Sequence, residues 1–102
     1  MKKIILLCAA GMSTSLLVKK MEQAAQEENF EVKIEAHSVS GFKDHTADAD
    51  VVLLGPQVRF QFAKIKSGVD CPVEAIDIAA YGRMDGKTVI QRAKQLIGSY
   101  PI

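Results

Sequence analysis

Two four-residue apolar runs, Ile4-Ile5-Leu6-Leu7 and Val51-Val52-Leu53-Leu54, constrain this chain more than any other feature. Neither alternates with polar residues, so each reads as a strand covered on both faces, the condition of central strands in a parallel sheet. Each run ends at a turn, Ala9-Ala10-Gly11 after the first and Gly55-Pro56 after the second. Val32, Ile34 and Ala36 alternate with Lys33, Glu35 and His37, which predicts a half-exposed edge strand. Pro72 to Ile76 supplies a last short strand.

Helical spacing fills the intervals. Leu17, Met21, Ala24 and Ala25 recur opposite Lys19, Lys20, Gln23, Gln26 and Glu27, predicting a helix from an N-cap at Ser13 to about Glu28. Gln57 to Ser67 reads as a second helix, with Val58, Phe62 and Ile65 on one stripe and Gly68 as its C-cap. Asp77 to Gly82 makes a turn or short helix, and Asp85 caps a closing helix that turns Val89, Ile90, Ala93, Leu96 and Ile97 inward. Ser38 to Asp50 reads as a loop with one helical turn. Strands alternating with helices imply right-handed crossovers. The expectation is therefore one three-layer α/β domain over residues 1–102. Its four-stranded parallel sheet, in order 2-1-3-4, carries helices on both faces, with the apolar runs central and the alternating strand at an edge. Ligands gather where such an order reverses, beyond the carboxyl ends of the strands. Two loops border that place, Cys8 to Ser15 and Gly55-Pro56-Gln57.

Charge and cysteine usage exclude several classes. The 13 basic and 12 acidic side chains leave a formal charge of +1 and form no blocks, so no nucleic-acid stripe or polybasic anchor is present. Cys8 and Cys71 stand far apart; they make neither a disulfide framework nor a metal-ligand spacing, and free thiols fit a reducing compartment. His37 and His45 have no histidine, cysteine or carboxylate at ligand spacing, so neither a metal nor a cofactor is expected. The run after Met1-Lys2-Lys3 is too short for a secretion signal, and nothing approaches the roughly 20 apolar residues of a membrane span. A cytoplasmic monomer is expected.

The segment Cys8-Ala9-Ala10-Gly11-Met12-Ser13-Thr14-Ser15 carries the chemistry. Cys8 ends a buried strand, small residues follow, Gly11 permits a positive φ, and the hydroxyls of Ser13, Thr14 and Ser15 arrive at the start of a helix. Amide donors at such a turn, reinforced by the helix dipole, suit a dianionic phosphoryl group. They also favour a thiolate, which makes Cys8 a competent nucleophile. A cysteine that served only as a small buried hydrophobe would need no such loop. Around the loop, Met12, Pro56, Gln57, Phe60 and Tyr81 are candidates for a docking patch, because methionine and aromatics are enriched in interface cores. Cys71 lies at the opposite end of its strand and has no expected role.

The cysteine loop resembles that of low-molecular-weight tyrosine phosphatases, in which an arginine follows the cysteine after five residues. Here that position is Thr14, and no arginine lies in the loop. Without a bidentate guanidinium, water attack on the phosphoryl group is poorly supported, and the spacing of Asp77 and Asp85 selects neither as a general acid. A phosphatase is the alternative and a phosphoryl carrier the favoured reading.

The run Cys8 to Val18 resembles the active-site segment of IIB components of the phosphoenolpyruvate-dependent sugar phosphotransferase system, in the lactose, cellobiose and chitobiose class. Further similarity appears at Ala49 to Gln57, at Val73 to Asp77, and at Tyr81-Gly82 and Met84-Asp85-Gly86. It spans essentially the whole chain, with Ser38 to Asp48 matching poorly. The resemblance implies a four-stranded parallel sheet with helices on both faces and a protein-cysteine phosphotransferase. A IIA phosphohistidine protein would pass its phosphoryl group to Cys8, which would pass it to a sugar held by the membrane IIC permease at the inner face of the membrane. The Met12 and Ser13-Thr14-Ser15 stretch is more like cellobiose and chitobiose members than lactose ones.

Overall fold

A computed structural model describes residues 1–9 and 14–99. The strands are β1 (Lys2–Cys8), β2 (Val32–Ser38), β3 (Val51–Leu54) and β4 (Val73–Ala75). The helices are α1 (Thr14–Glu27), α2 (Phe62–Ser67), α3 (Ile78–Gly82) and α4 (Gly86–Ser99), and 3-10 turns occupy Phe42–Asp44 and Pro56–Gln61. All strand pairs are parallel and the order is β2-β1-β3-β4, the order that the apolar and alternating runs require.

Pleating divides the core in two. Ile4 and Leu6 of β1 join Val51 and Leu53 under Leu17, Met21, Ala24 and Ala25 of α1 and Val89, Ile90 and Ala93 of α4. Ile5 and Leu7 join Val52 and Leu54 over Phe42, Val58 and Ile65. The result is three layers, with β1 and β3 buried from both sides. Edge strand β2 buries Ile34 and leaves Lys33 exposed. Such charged edges resist pairing with another chain.

Helix ends follow from local chemistry. Asp77 Oδ2 accepts from the Ala80 amide at 3.0 Å, capping α3. Asp85 accepts from the Thr88 amide at 3.2 Å and from its hydroxyl at 2.8 Å, capping α4. Together these bonds hold the Asp85 carboxyl below the usual carboxylate range, the Thr88 hydroxyl contributing most. The α1/α4 packing depends on Gly86, where a Cβ would stand 2.5 Å from Met21 N and 2.6 Å from Lys20 O. Only a residue without a side chain lets the two backbones come so close. The Ser38 to Asp50 segment contains its one helical turn, and that turn drives Phe42 into the lower core, 6% exposed.

Two expectations need correction. Gln57 to Ser67 is not one helix: a 3-10 turn gives way to α2, and Val58 has non-helical angles of φ −118° and ψ 15°. Val58 and Ile65 would share one face of a continuous α-helix, so the break is not set by their spacing; the chain leaves β3 through Gly55-Pro56 into a 3-10 turn, and the kink falls at Val58. Phe62 consequently leaves the buried stripe and is 38% exposed. The expected N-cap Ser13 lies outside the described residues.

Candidate active site

Cys8 is the last residue of β1, and its strand end is fixed from both sides. The Val39 amide donates to Cys8 O, and the Gly55 amide donates to Leu7 O, each at 2.9 Å. The side chain points to the α1 face, where Cys8 is 3% exposed. Its Sγ shares a hydrogen bond of 3.0 Å with Thr14 Oγ1 and lies 3.9 Å from His37 O. Thr14 opens α1, is 1% exposed, and has no acidic residue beside it in the first turn. The sulfur therefore sits at the positive end of a 14-residue helix against a hydroxyl that can donate to it.

The loop after β3 closes the other side. A Cβ at Gly55 would lie 3.6 Å from Cys8 Cβ and 3.0 Å from Gln57 Oε1. Gln57 thus folds back over Gly55 toward the cysteine, with its remaining surface exposed. The β1 and β3 exits converge there, as the strand order demands.

The structure separates the other anticipated residues. Ala10, Gly11, Met12 and Ser13 lie outside the described residues. Ala9 and Ser15 are exposed and Pro56 is half-buried. Phe60 stands out at 79% exposed, whereas Tyr81 is 8% exposed and packs in the upper core. Its assignment to a docking patch is thereby corrected: α3 turns its ring inward. Sequence reasoning passed over two residues that do face outward, Leu16 at 51% and Ile78 at 58% exposed. Both occupy the first turn of a helix that follows a strand, α1 after β1 and α3 after β4. Leu16 is adjacent to buried Leu17 and lies off the helix stripe, which was the available signal.

Cys71 is the second buried thiol. Burial, with smaller contributions from Asp50 and Asp70, pushes it up to about 11, which leaves little thiolate at neutral pH. It precedes β4, at the opposite end of the sheet from Cys8. His37 and His45 prove to be partners: their rings stack with centroids 3.8 Å apart and planes at 3°. The Phe42–Asp44 turn folds His45 back onto β2, a contact that spacing alone does not reveal. His37 Nε2 also meets Glu35 Oε1 at 3.0 Å. That bond, followed by Lys33 at 3.1 Å, holds the Glu35 carboxyl at about 2. Among the described residues, no three histidine, cysteine or acidic side chains group to hold a metal.

Asp77 and Asp85 both serve as helix caps. Arg83 pairs with Asp85, and Arg92 pairs with Glu74.

Residues 3–92 match the family described as "PTS system, Lactose/Cellobiose specific IIB subunit". The chain belongs to this IIB family. It is 43% identical to the oligo-beta-mannoside-specific EIIB component of Bacillus subtilis, over 95% of this chain and 97% of that one. With the cellobiose-specific EIIB component of Lactococcus lactis the identity is 40%, over 94% and 96%. The solution structure of the cellobiose-specific IIB component from Borrelia burgdorferi superposes with a TM-score of 0.79 at 36% identity, covering 95% of this chain and 92% of that one. A longer relative, the lactose-specific EIICB component of Lactococcus lactis, matches over 67 residues at 33% identity, with 12% of its own length. The chain is thus a phosphotransferase component of the lactose/cellobiose class, a kind of domain that pairs with IIC components. No helix among the described residues is long and apolar enough to cross a membrane.

Proposed function

We propose that Cys8 is the phosphoryl-carrying residue. Its thiolate attacks the phosphorus of a phosphohistidine on a IIA protein; the S–P bond forms as the N–P bond breaks, and the imidazole leaves. A sugar hydroxyl held by the membrane IIC component then attacks the same phosphorus. The S–P bond breaks, the thiolate is restored and the hydroxyl proton passes to a base. The observation that carries this reading is the 3.0 Å contact between Cys8 Sγ and Thr14 Oγ1 at the head of α1. It places a donor and a helix dipole where negative charge resides on sulfur and, after transfer, on the phosphoryl oxygens.

Ala9 to Ser15 form the phosphate-binding loop in this reading. Docking falls to Met12, Pro56, Gln57 and Phe60, joined by the exposed Leu16 and Ile78. Apolar side chains projecting from the first turns after β1, β3 and β4 ring the carboxyl edge of the sheet, a surface suited to brief contact with successive partners. A β-linked disaccharide such as cellobiose or chitobiose is the proposed sugar, a reading supported by the oligo-beta-mannoside-specific and cellobiose-specific relatives. The chain acts in the cytoplasm and meets the membrane through IIC.

The test is incubation with the upstream phosphotransfer proteins and phosphoenolpyruvate, followed by intact mass and peptide mapping. One added phosphoryl group on the Cys8 peptide is expected. Addition to His37 or His45, or no addition, would refute the assignment.

A further inference from the structure

β2 turns Ile34 into the upper core, so Lys33, Glu35 and His37 share its lower face. The segment after the strand folds back under that face. Lys3 Nζ meets Asp48 at 2.9 Å, the Lys3 amide donates to Asp50 at 2.8 Å, and the Thr46 hydroxyl donates to Phe42 O at 3.0 Å. His45 lays its ring flat on His37, the centroids 3.8 Å apart and the planes at 3°. This pair belongs to neither hydrophobic cluster, yet it adjoins the cysteine site through the main chain. His37 O lies 3.9 Å from Cys8 Sγ, and the Val39 amide donates to Cys8 O at 2.9 Å. The exit of β2 is therefore one wall around the sulfur.

Histidine is the side chain whose charge changes between about pH 5 and 8. With one proton the pair is a cation against a neutral ring, and Glu35 Oε1 stands 3.0 Å from His37 Nε2. With two protons it sets like charges face to face, which repel. The surrounding groups do not offset the second charge. On β2, Glu35 is already met by Lys33 at 3.1 Å; from β1, Lys3 approaches Glu35 at 3.9 Å and holds Asp48. On the turn that carries His45, Lys43 and Asp44 balance each other, and Lys64 of α2 lines a groove with both.

We infer that the His37–His45 stack is a proton-operated latch. With one proton or none it closes residues 42–48 onto the exit of β2; with two it opens and loosens the wall beside Cys8. The inference goes beyond the carrier reading and does not depend on it, because it concerns access to the thiol and not what the thiol carries.

Amide hydrogen exchange on the unphosphorylated chain, corrected for intrinsic rates, reads the latch directly. The Asp44 and His45 amides donate to Gly41 O and Phe42 O, and the Val52 amide of β3 donates to Pro72 O and serves as a distant reference. Between about pH 7.5 and about pH 5, protection of Asp44 and His45 should fall roughly tenfold while that of Val52 holds. His45→Phe keeps a ring on His37 without a second charge, and its protection should stay level over the same range. Cys8 is read with 4,4′-dithiodipyridine, a disulfide that still reacts with thiols in mild acid. The natural chain and His45→Phe should react alike at about pH 7.5, and the natural chain about threefold faster at about pH 5. Four results would overturn the inference: unchanged protection in the natural chain, an equal loss in His45→Phe, a matching loss at Val52, or equal Cys8 rates in mild acid. The third would mean that acid loosens the whole domain and not this segment.

Discussion

Replacing Thr14 by valine removes one oxygen and almost nothing else, which makes it the sharpest probe of the site. Thr14 is 1% exposed, so no water can take the place of the hydroxyl 3.0 Å from Cys8 Sγ. Valine keeps the branched shape and hence the packing at the head of α1. A hydrogen bond to a charged acceptor contributes about 1.5–3 kcal/mol, and a buried acceptor stripped of it loses the whole amount. At 1.4 kcal/mol per factor of ten, loss of that donor corresponds to roughly a ten- to hundredfold weaker hold on negative charge at Cys8 Sγ. A sulfur without that donor is intrinsically more nucleophilic, which returns about half of the loss on a logarithmic scale. Iodoacetamide should therefore alkylate Cys8 about three- to tenfold more slowly at neutral pH. Peptide mapping after timed quenching measures it, and Cys71, held at about 11 by burial, supplies an internal standard that the substitution leaves alone. Thr14→Ser retains the hydroxyl and should react within about twofold of the natural chain. Two results would sink the reasoning: Thr14→Val alkylated at the natural rate, or Thr14→Ser slowed as much as Thr14→Val. The first would mean that the oxygen does not donate to sulfur, and the second that methyl packing, not hydrogen bonding, sets the reactivity.

Gly86→Ala should lower the unfolding free energy by about 3 kcal/mol or more in urea melts, because backbone atoms of Lys20 and Met21 cannot swing aside for a Cβ; a loss under 1 kcal/mol would contradict the α1/α4 spacing. Glu35, lowered from 4.5 to about 2 by His37 and then Lys33, contributes stability that is present above the higher value and lost as pH falls toward the lower one. Melts between these two values should accordingly show a shallower pH slope for Glu35→Gln than for the natural chain, and equal slopes would disprove the coupling. Leu16→Ser and Ile78→Ser together should slow phosphoryl transfer from the IIA donor by about tenfold or more through lost apolar contact, with iodoacetamide alkylation of Cys8 unaltered; slowed alkylation would show that the pair shapes the site and does not merely dock a partner.

Most of the sheet was legible because uninterrupted apolar runs have few destinations. Ile4 to Leu7 and Val51 to Leu54 could only be central, and β2 with its alternating charges could only be an edge, so the order followed. The cap at Asp85 was equally plain, since its bonds reach only three residues along the chain; Asp77 read as the start of a turn or short helix and proves to cap α3. Features made by long-range contact escaped. The stacked pair of His37 and His45 depends on a turn that plunges Phe42 into the core. Tyr81 carries an aromatic signal that reads equally well as interface or interior, and packing against α4 decided for the interior. The break between the 3-10 turn and α2 falls at Val58, and apolar spacing does not record it, because Val58 and Ile65 suit one helical stripe equally well.

One construction principle links the chemistry to its surroundings. In a parallel sheet every strand exits at the same edge, so the first turn after each exit is brought to one end of the molecule whatever its residues are. Here the turn after β1 presents Thr14 inward and Leu16 outward, the turn after β3 presents Gln57 and Phe60, and the turn after β4 presents Ile78. The inward member bonds the sulfur, while the outward members leave apolar surface beside it. Strand hydrogen bonds on both sides of Cys8 keep its sulfur in one place. An arginine at the Thr14 position would add a fixed positive charge that stabilises water attack on the phosphoryl group. A threonine there bonds the sulfur without adding that charge, as the proposed carrier role would require.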